Sequence, residues 1–298
     1  IYEHDSTNIF KQFKDLEGDL YSAEVHHIRH NAIILLDDEG NEIVLPKSEQ
    51  IRSDFFRKGD SVRGVIKSVE LRGNKPAIIL SRTAPAFLNK LFEQEIPEVF
   101  DGLITVEGVA RIPGEKAKVA VDSYDDRIDP VGACVGVKGS RIHGIVRELG
   151  NENIDVINYT KNEQLFISRA LSPAKVTSME IEMYEEEKNG KKGRVSVLLR
   201  PEEVSKAIGR GGVNIRLASE LTGYEIDVKR EGLEEEDVEL TEFIDEIEDW
   251  VITEFKKIGL DTARSVLETS VAELVKRTDL EEETIIDVQR ILKEEFEE

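Results

Sequence analysis

The spacing of apolar residues along this chain changes several times, and each change predicts an element. Ile9, Phe10, Phe13 and Leu16 recur at the helical period before Gly18 ends the run. The pattern then becomes β-like over roughly 20–29, 32–37, 42–46, 61–71 and 76–82. Turn residues separate these runs: Asp38-Glu39-Gly40-Asn41, Lys58-Gly59-Asp60 and Gly73-Asn74. Five short strands in about 65 residues fit a small closed barrel, of which the OB fold is the leading candidate.

The helical period returns over 84–95, with Phe87, Leu88, Leu91 and Phe92 on one side. Strands over 102–112 and 116–123, turning at Pro113-Gly114, precede a short helix opening at Asp129-Pro130. Gly136-Val137-Lys138-Gly139, a helix to Leu149 and a strand over 153–158 follow. After a helix around 162–171 and a break at Ser172-Pro173 the order repeats: strands 176–187 and 193–199, a helix from Pro201, Gly209-Arg210-Gly211-Gly212, a helix to Leu221, and a strand over 224–229. Gly136, Gly139 and Ile142 recur 73 residues later as Gly209, Gly212 and Ile215, and Ile154-Asp155-Val156 recurs 72 later as Ile226-Asp227-Val228. A β-β-α-loop-α-β repeat of this size is a small domain rather than a solenoid unit.

The last 66 residues read as helical throughout. Phe243, Ile244, Ile247, Trp250, Val251 and Phe255 make one apolar stripe, continued by Val266, Leu267, Val271, Leu274 and Val275 and closed by Ile285, Ile286, Val288, Ile291 and Leu292. The expected organisation is therefore a helix end over 1–17, a barrel over 18–83, α/β repeats over 84–172 and 173–232, and a helical domain over 233–298.

Charge changes this picture only once it is divided. The chain of 298 residues has a net charge of −22, but residues 1–83 carry 12 Lys and Arg against 14 Asp and Glu, residues 84–232 carry 21 against 25, and residues 233–298 carry 7 against 23. The acidity belongs to the helical tail, so the two nearly neutral regions ahead of it remain open to nucleic acid. One cysteine, Cys134, excludes a disulfide framework and a thiolate metal cluster within a single chain. No apolar run approaches the ~20 residues of a membrane span and no basic-then-apolar leader is present, which predicts a cytoplasmic protein without membrane contact. The sequence opens on Ile1 in an already amphipathic segment, which predicts that it belongs to something longer.

A lone Gly-x-x-Gly carries little information, and Gly190-Lys191-Lys192-Gly193, following Asn189 between two strands, reads as a hairpin turn. The other two join helices, each with an apolar residue before the first glycine and Ile three residues beyond the second. Such a turn lets backbone approach a sugar-phosphate chain without Cβ obstruction, with helix N-terminal amides facing phosphate. The candidate RNA-binding residues are Gly136, Val137, Lys138, Gly139, Ser140, Arg141 and Ile142 in the first loop, and Gly209, Arg210, Gly211, Gly212, Asn214, Ile215 and Arg216 in the second. Bases of a single strand would lie beside Ile142 and Ile215, four nucleotides per domain. The alternative is that these glycines only allow close helix packing.

Elsewhere the chemistry is bland. Alternation along a strand sends His26 and His27 to opposite faces, so His26, His27 and His30 read as surface residues rather than metal ligands. Cys134 reads as a small buried residue. No catalytic constellation, metal site or cofactor motif is present, so the chain is expected not to be an enzyme.

The segment from Asp129-Pro130 through Gly136-Val137-Lys138-Gly139 to Ile142, and the segment from Ala207 through Gly209-Arg210-Gly211-Gly212 to Ala218, resemble the tandem KH domains of the bacterial NusA family of transcription elongation, pausing, termination and antitermination factors. Leu45-Pro46, Phe56 to Asp60, Val62 to Val65, Ser81-Arg82 and Glu95 to Val99 are similar to that family's S1-type RNA-binding barrel and joining helix, so the likeness covers roughly residues 1–230. It implies two type II KH domains, a monomer binding nascent single-stranded RNA, and docking on RNA polymerase mainly through an N-terminal domain outside this sequence. Other Nus factors or a ribosomal protein are further partners it implies. Val137 stands where the family more usually has Met. The barrel strands offer mainly Tyr21, His26, His27 and Arg63 for stacking bases, so base stacking there is not expected.

The tail, with its turn at Thr278-Asp279-Leu280, resembles the family's helix-hairpin-helix modules, but Asp279, Glu281, Glu282 and Glu283 oppose phosphate there, which favours protein binding or RNA mimicry. Two other functions fit the same modules: an RNA-binding accessory of an RNA-degradation complex, and a scaffold whose acidic tail binds a basic protein.

Overall fold

The computed structural model describes residues 2–231 and 237–296, so the expected boundary at 232/233 lies outside the described residues. The chain divides into two compact units, one of residues 1–197 and 202–228 and one of 198–201 and 229–298.

The first unit opens with α1 (Tyr2–Lys14), whose Phe13 is buried in the barrel core and meets Tyr21 edge-on at 5.3 Å. Strands β1 (Leu20–Ile28), β2 (Ala32–Leu36), β3 (Glu42–Pro46), β4 (Ser61–Arg72) and β5 (Lys75–Ser81) form a closed barrel in the order β1-β2-β3-β5-β4, with β1 antiparallel to β4. This is the OB arrangement that the spacing predicted. Val25, Leu35, Ile43, Leu45, Val62, Ile66, Ile78 and Leu80 point inward at the period of two. A bulge between Val25 and His27 breaks that period in β1. His26, His27 and His30 are all exposed, as expected of surface residues.

The first α/β repeat begins with α2 (Pro85–Glu95) and α3 (Pro97–Phe100), followed by β6 (Ile104–Ile112), β7 (Lys116–Ser123), α4 (Pro130–Val135), α5 (Ile142–Glu148), β8 (Asn153–Asn158) and α6 (Glu163–Ala170). Its sheet has the order β6-β7-β8, with β6 antiparallel and β8 parallel to β7. The parallel pair requires a crossover, which α4 and α5 supply. The second repeat has β9 (Ser178–Lys188), β10 (Lys191–Leu199), α7 (Pro201–Ile208), α8 (Val213–Thr222) and β11 (Tyr224–Arg230), with β10 central. Asn189 and Gly190, at φ 51° and 73°, turn β9 into β10, as expected of the third Gly-x-x-Gly.

Barrel and first repeat share a core. Ile51 and Val65 of the barrel are buried in one cluster with Phe87, Phe92, Val119 and Ile145. Two buried arginines lock the seam. Arg82 pairs with Asp54 (2.8 Å) and Glu148 (3.0 Å) and donates to the carbonyls of Arg63 and Glu148, its guanidinium between the rings of Phe56 and Phe87. Burial opposes its charge, but Asp54 and Glu148 outweigh that and hold its pKa above the ordinary arginine value. Arg111 pairs with Glu152 at 2.9 Å, the side chains 1% and 0% exposed, and also donates to the carbonyls of Arg82 and Ala84.

In the second unit a 3-10 turn (Leu240–Phe243) leads to α9 (Asp249–Lys257), α10 (Ala263–Glu268), α11 (Val271–Arg277) and α12 (Glu282–Phe296). Thr262 and Ser265 form a capping box at α10, and Ser270 caps α11. Phe243, Ile247, Val251, Phe255, Leu274, Leu280, Ile285, Val288 and Leu292 form its core. Ile244 and Trp250 do not join it: they are 60% and 54% exposed, because residues 240–248 are not one helix and the stripe changes direction before α9 begins. Val275 and Ile286 are likewise exposed.

Candidate nucleic-acid interface

The two loops have the same backbone. Gly136 (φ 76°, ψ 174°) ends α4 and Gly209 (φ 75°, ψ 171°) ends α7. A single 3-10 turn follows each, with Lys138 at φ 53°, ψ 32° where the second loop has Gly211 at φ 63°, ψ 19°. Gly139 and Gly212 both sit at φ 74° before the next helix begins.

The glycines divide the two expected roles. A Cβ on Gly209 would lie 2.9 Å from the Asn214 nitrogen, and one on Gly136 3.0 Å from the Arg141 nitrogen, so the first glycine of each pair lets the helices close on each other. A Cβ on Gly212 would meet nothing within 4 Å and one on Gly139 only ordinary contacts. The second glycine therefore faces open space, where another backbone can approach.

The expected contact residues separate in the same way. Val137 is 82% exposed, and Lys138, Ser140, Arg210, Gly211 and Arg216 are exposed with it. Neither Lys138 nor Arg210 has a side-chain partner among the described residues. Arg216 meets the exposed Glu220 at 3.4 Å, its one side-chain partner among the described residues. Arg141 instead ties its loop back, pairing with Glu98 at 2.7 Å and donating to the Ala133 carbonyl. Ile142 and Ile215 are half-buried, Ile142 against the core of the first repeat.

Asn214 differs from its expected place at the surface. It is 2% exposed, and its amide donates to the carbonyls of Leu171, Lys206 and Ala207 while its oxygen accepts from Lys116 on β7 at 3.3 Å. Those bonds use the side chain up, so Asn214 shapes the second loop and fastens it to the first repeat. The contact was not legible in the sequence, because Lys116 lies 98 residues away. Ile112, Lys116 and Asn153 also line a cleft of about 840 Å3 beside Gly209 and Arg210. α8 packs on β6 and β7, so the two loops are parts of one body.

Cys134 is buried behind the first loop, and burial, with the Glu98 carboxylate adding to it, pushes its thiol pKa up to about 12. Such a thiol is not a nucleophile at neutral pH. No helix among the described residues is long and apolar enough to cross a membrane.

The left-handed conformation of Lys138 is strained for a residue with a Cβ. Lys138→Gly is expected to raise the free energy of unfolding by about 0.5–1 kcal/mol in urea denaturation. It removes an unpaired cation, so affinity for single-stranded RNA in fluorescence anisotropy should fall several-fold.

Two small α/β units whose Gly-x-x-Gly loops join successive helices, carried behind an OB-type barrel, define the class: a tandem-KH nucleic-acid-binding protein. Residues 82–159 match the model of a NusA-like first KH domain and residues 163–236 that of a NusA-like second KH domain, which takes in α6. The chain belongs to the NusA family. It is 37% identical over 226 residues to the transcription termination/antitermination protein NusA of Thermus thermophilus, covering 76% of this chain and 57% of that one. The protein of the same name in Bacillus subtilis is 38% identical over 223 residues, 75% of this chain and 58% of that one. That of Rickettsia prowazekii is 31% identical over 297 residues, 97% of this chain and 58% of that one. The chain thus spans just under three fifths of the length of these curated relatives.

Proposed function

We propose that this chain is the RNA-reading portion of a transcription elongation factor, binding nascent single-stranded RNA at RNA polymerase and so modulating pausing, termination and antitermination. The observation that carries the reading is the duplicated loop backbone, with its second glycine open and beside it in each copy a cation without a side-chain partner among the described residues. Gly139 and Gly212 admit the sugar-phosphate chain, and Lys138, Arg210 and Arg216 meet its phosphates. Val137, Ser140 and Gly211 frame its path, and Ile142 and Ile215 flank the bases. Gly136, Gly209, Arg141 and Asn214 hold the loops in shape. Other Nus factors or a ribosomal protein are candidate partners, and the polymerase contact is assigned mainly to a preceding domain. The barrel is assigned to 18–83, the KH domains to 84–172 and 173–232, and the acidic helical domain to 233–298.

The test is photo-crosslinking in a stalled elongation complex whose emerging transcript carries reactive nucleotides. The chain should crosslink to RNA just outside the polymerase, and a variant with aspartate at both loops should not. Equal crosslinking by the two would overturn the reading.

The tail supports a second measurement. Deleting residues 233–298 takes the net charge from −22 to −6 and removes a field that repels RNA within about a Debye length. RNA affinity is expected to rise at low salt by about two- to fivefold, and the gain should vanish toward 0.5 M salt. A marked loss of affinity would show instead that the tail touches RNA.

A further inference from the structure

The sheet of the first repeat has one face on its own helices and the other on the second repeat. The register pairs Ile112 with Lys116, Ala110 with Lys118 and Gly108 with Ala120 on the face that α8 covers, where Ala110, Lys118 and Ala120 are buried. A Cβ on Gly108 would lie 3.1 Å from the side chain of Leu221, near the end of α8. Past the bulge between Val106 and Gly108 the same face runs on through Thr105 and Asp122 to Leu103 and Tyr124, joined by a 3.3 Å bond from the Tyr124 amide to the Leu103 carbonyl. α8 stops at Thr222, and there the face opens: Leu103 is 43% exposed and Tyr124 82%. Phe100, at the end of α3 and three residues before Leu103, is 78% exposed.

Single exposed apolar side chains are ordinary, but three on adjoining backbone, continuing a face that is covered elsewhere, mark a surface that something covers. The backbone presenting them is fixed: the Phe100 amide donates to the Ile96 carbonyl at 3.1 Å and the Leu103 amide to the Glu98 carbonyl at 2.9 Å. The charges around them have one sign. Asp101, Glu107, Asp122 and Asp126 have no ion-pair partner among the described residues, and Arg127, the cation next along the chain, is already held by Asp125 at 2.8 Å. Carboxylates repel phosphate, so this is not a path for RNA. They also oppose a symmetric contact with a second copy, which would set like charges against each other across the axis.

We propose that Phe100, Leu103 and Tyr124 form a docking site for a basic segment of a partner protein, one in which lysines or arginines flank an apolar anchor. The anchor continues the packing that α8 makes on the same sheet face, and the flanking cations meet Asp101, Glu107, Asp122 and Asp126. Two aromatic rings supply most of the contact area, and rings on a fixed backbone bind without the ordering cost of mobile ones. The site does not rest on the RNA-binding reading. It lies beside the first Gly-x-x-Gly loop, since Glu98 holds the Leu103 amide with its carbonyl and Arg141 with its carboxylate, so one KH unit can hold a protein and a transcript together.

The test places an indole in the site of the full chain: Tyr124→Trp in a Trp250→Phe background, which removes the single tryptophan. The probe is a synthetic amphipathic helix of ~18 residues, five turns, with leucines on one face and lysines on the other. At about 0.15 M salt its addition should move the indole emission to shorter wavelength along a saturable curve. Phe100→Ser should weaken that binding about tenfold, the scale of one buried aromatic side chain. The same peptide with glutamate in place of lysine should leave the emission where it was. An unmoved indole, an equal shift from the glutamate peptide, or unchanged affinity in Phe100→Ser overturns the site. So does a shift produced by a ~20-nucleotide strand alone, which would make this a nucleic-acid surface, or by concentrating the chain alone, which would make it a contact between copies. The aspartate loop variant should take the peptide as the parent does, so failure of the loop reading and failure of this site are read separately.

Discussion

Placing aspartate at Val137, Lys138, Arg210 and Gly211 together is expected to weaken binding of a ~20-nucleotide single strand by a factor of about 100 or more at 0.1 M salt. The replacement removes two cations that have no side-chain partner among the described residues and adds four carboxylates on the face where the second glycines are open. Lys138 and Gly211 have left-handed backbones, which aspartate tolerates better than most residues, and Val137 and Arg210 are exposed, so the fold should survive. Circular dichroism would confirm that. Two lost phosphate contacts should also flatten the dependence of log K on log salt by about 1.4, at roughly 0.7 per contact for a single strand. Parental affinity in the folded variant would remove the loops from the interface.

The largest expected loss of stability comes from Arg111→Met. Glu152 would keep its buried charge with the Gly114 amide as its one remaining partner among the described residues, and the carbonyls of Arg82 and Ala84 would each lose a donor. Breaking a buried pair from one side costs about 3–5 kcal/mol, measurable as a fall in the urea midpoint. Arg111→Met combined with Glu152→Leu should recover part of that, since no charge then remains buried. Recovery should be incomplete, because the Arg82 carbonyl and the Gly114 amide lose their partner while the Ala84 carbonyl keeps the Phe87 amide. A change below about 1 kcal/mol in Arg111→Met would mean that water reaches the pair.

Periodicity revealed the elements because each has one face buried on a single core. β8, β3 and the hairpin at Asn189-Gly190 lie where the spacing put them, and the offset of 73 between the Gly-x-x-Gly segments reappears as matching φ and ψ. The period was misleading where a single residue shifts it. The bulge in β1 interrupts the alternation there, and the turn before α9 releases Ile244 and Trp250 from the stripe. Other features leave no local trace. Nothing local marks Arg82, Arg111 and Glu152 as buried, and only their oppositely charged partners, 28 to 66 positions away, make burial tolerable. Asn214 has the composition of a loop contact and the position of a buried strut.

The seam between barrel and first KH unit bears on how such proteins can diversify. A crossover near residue 83 would join a barrel from one lineage to a KH unit from another, yet Ile51 and Val65 complete the KH core, and Arg82 and Arg111 find their acceptors across that point. A chimera would need matching changes at all of these positions at once. The two parts are therefore expected to be inherited as a single piece, with substitutions on either side of the seam compensating one another over time.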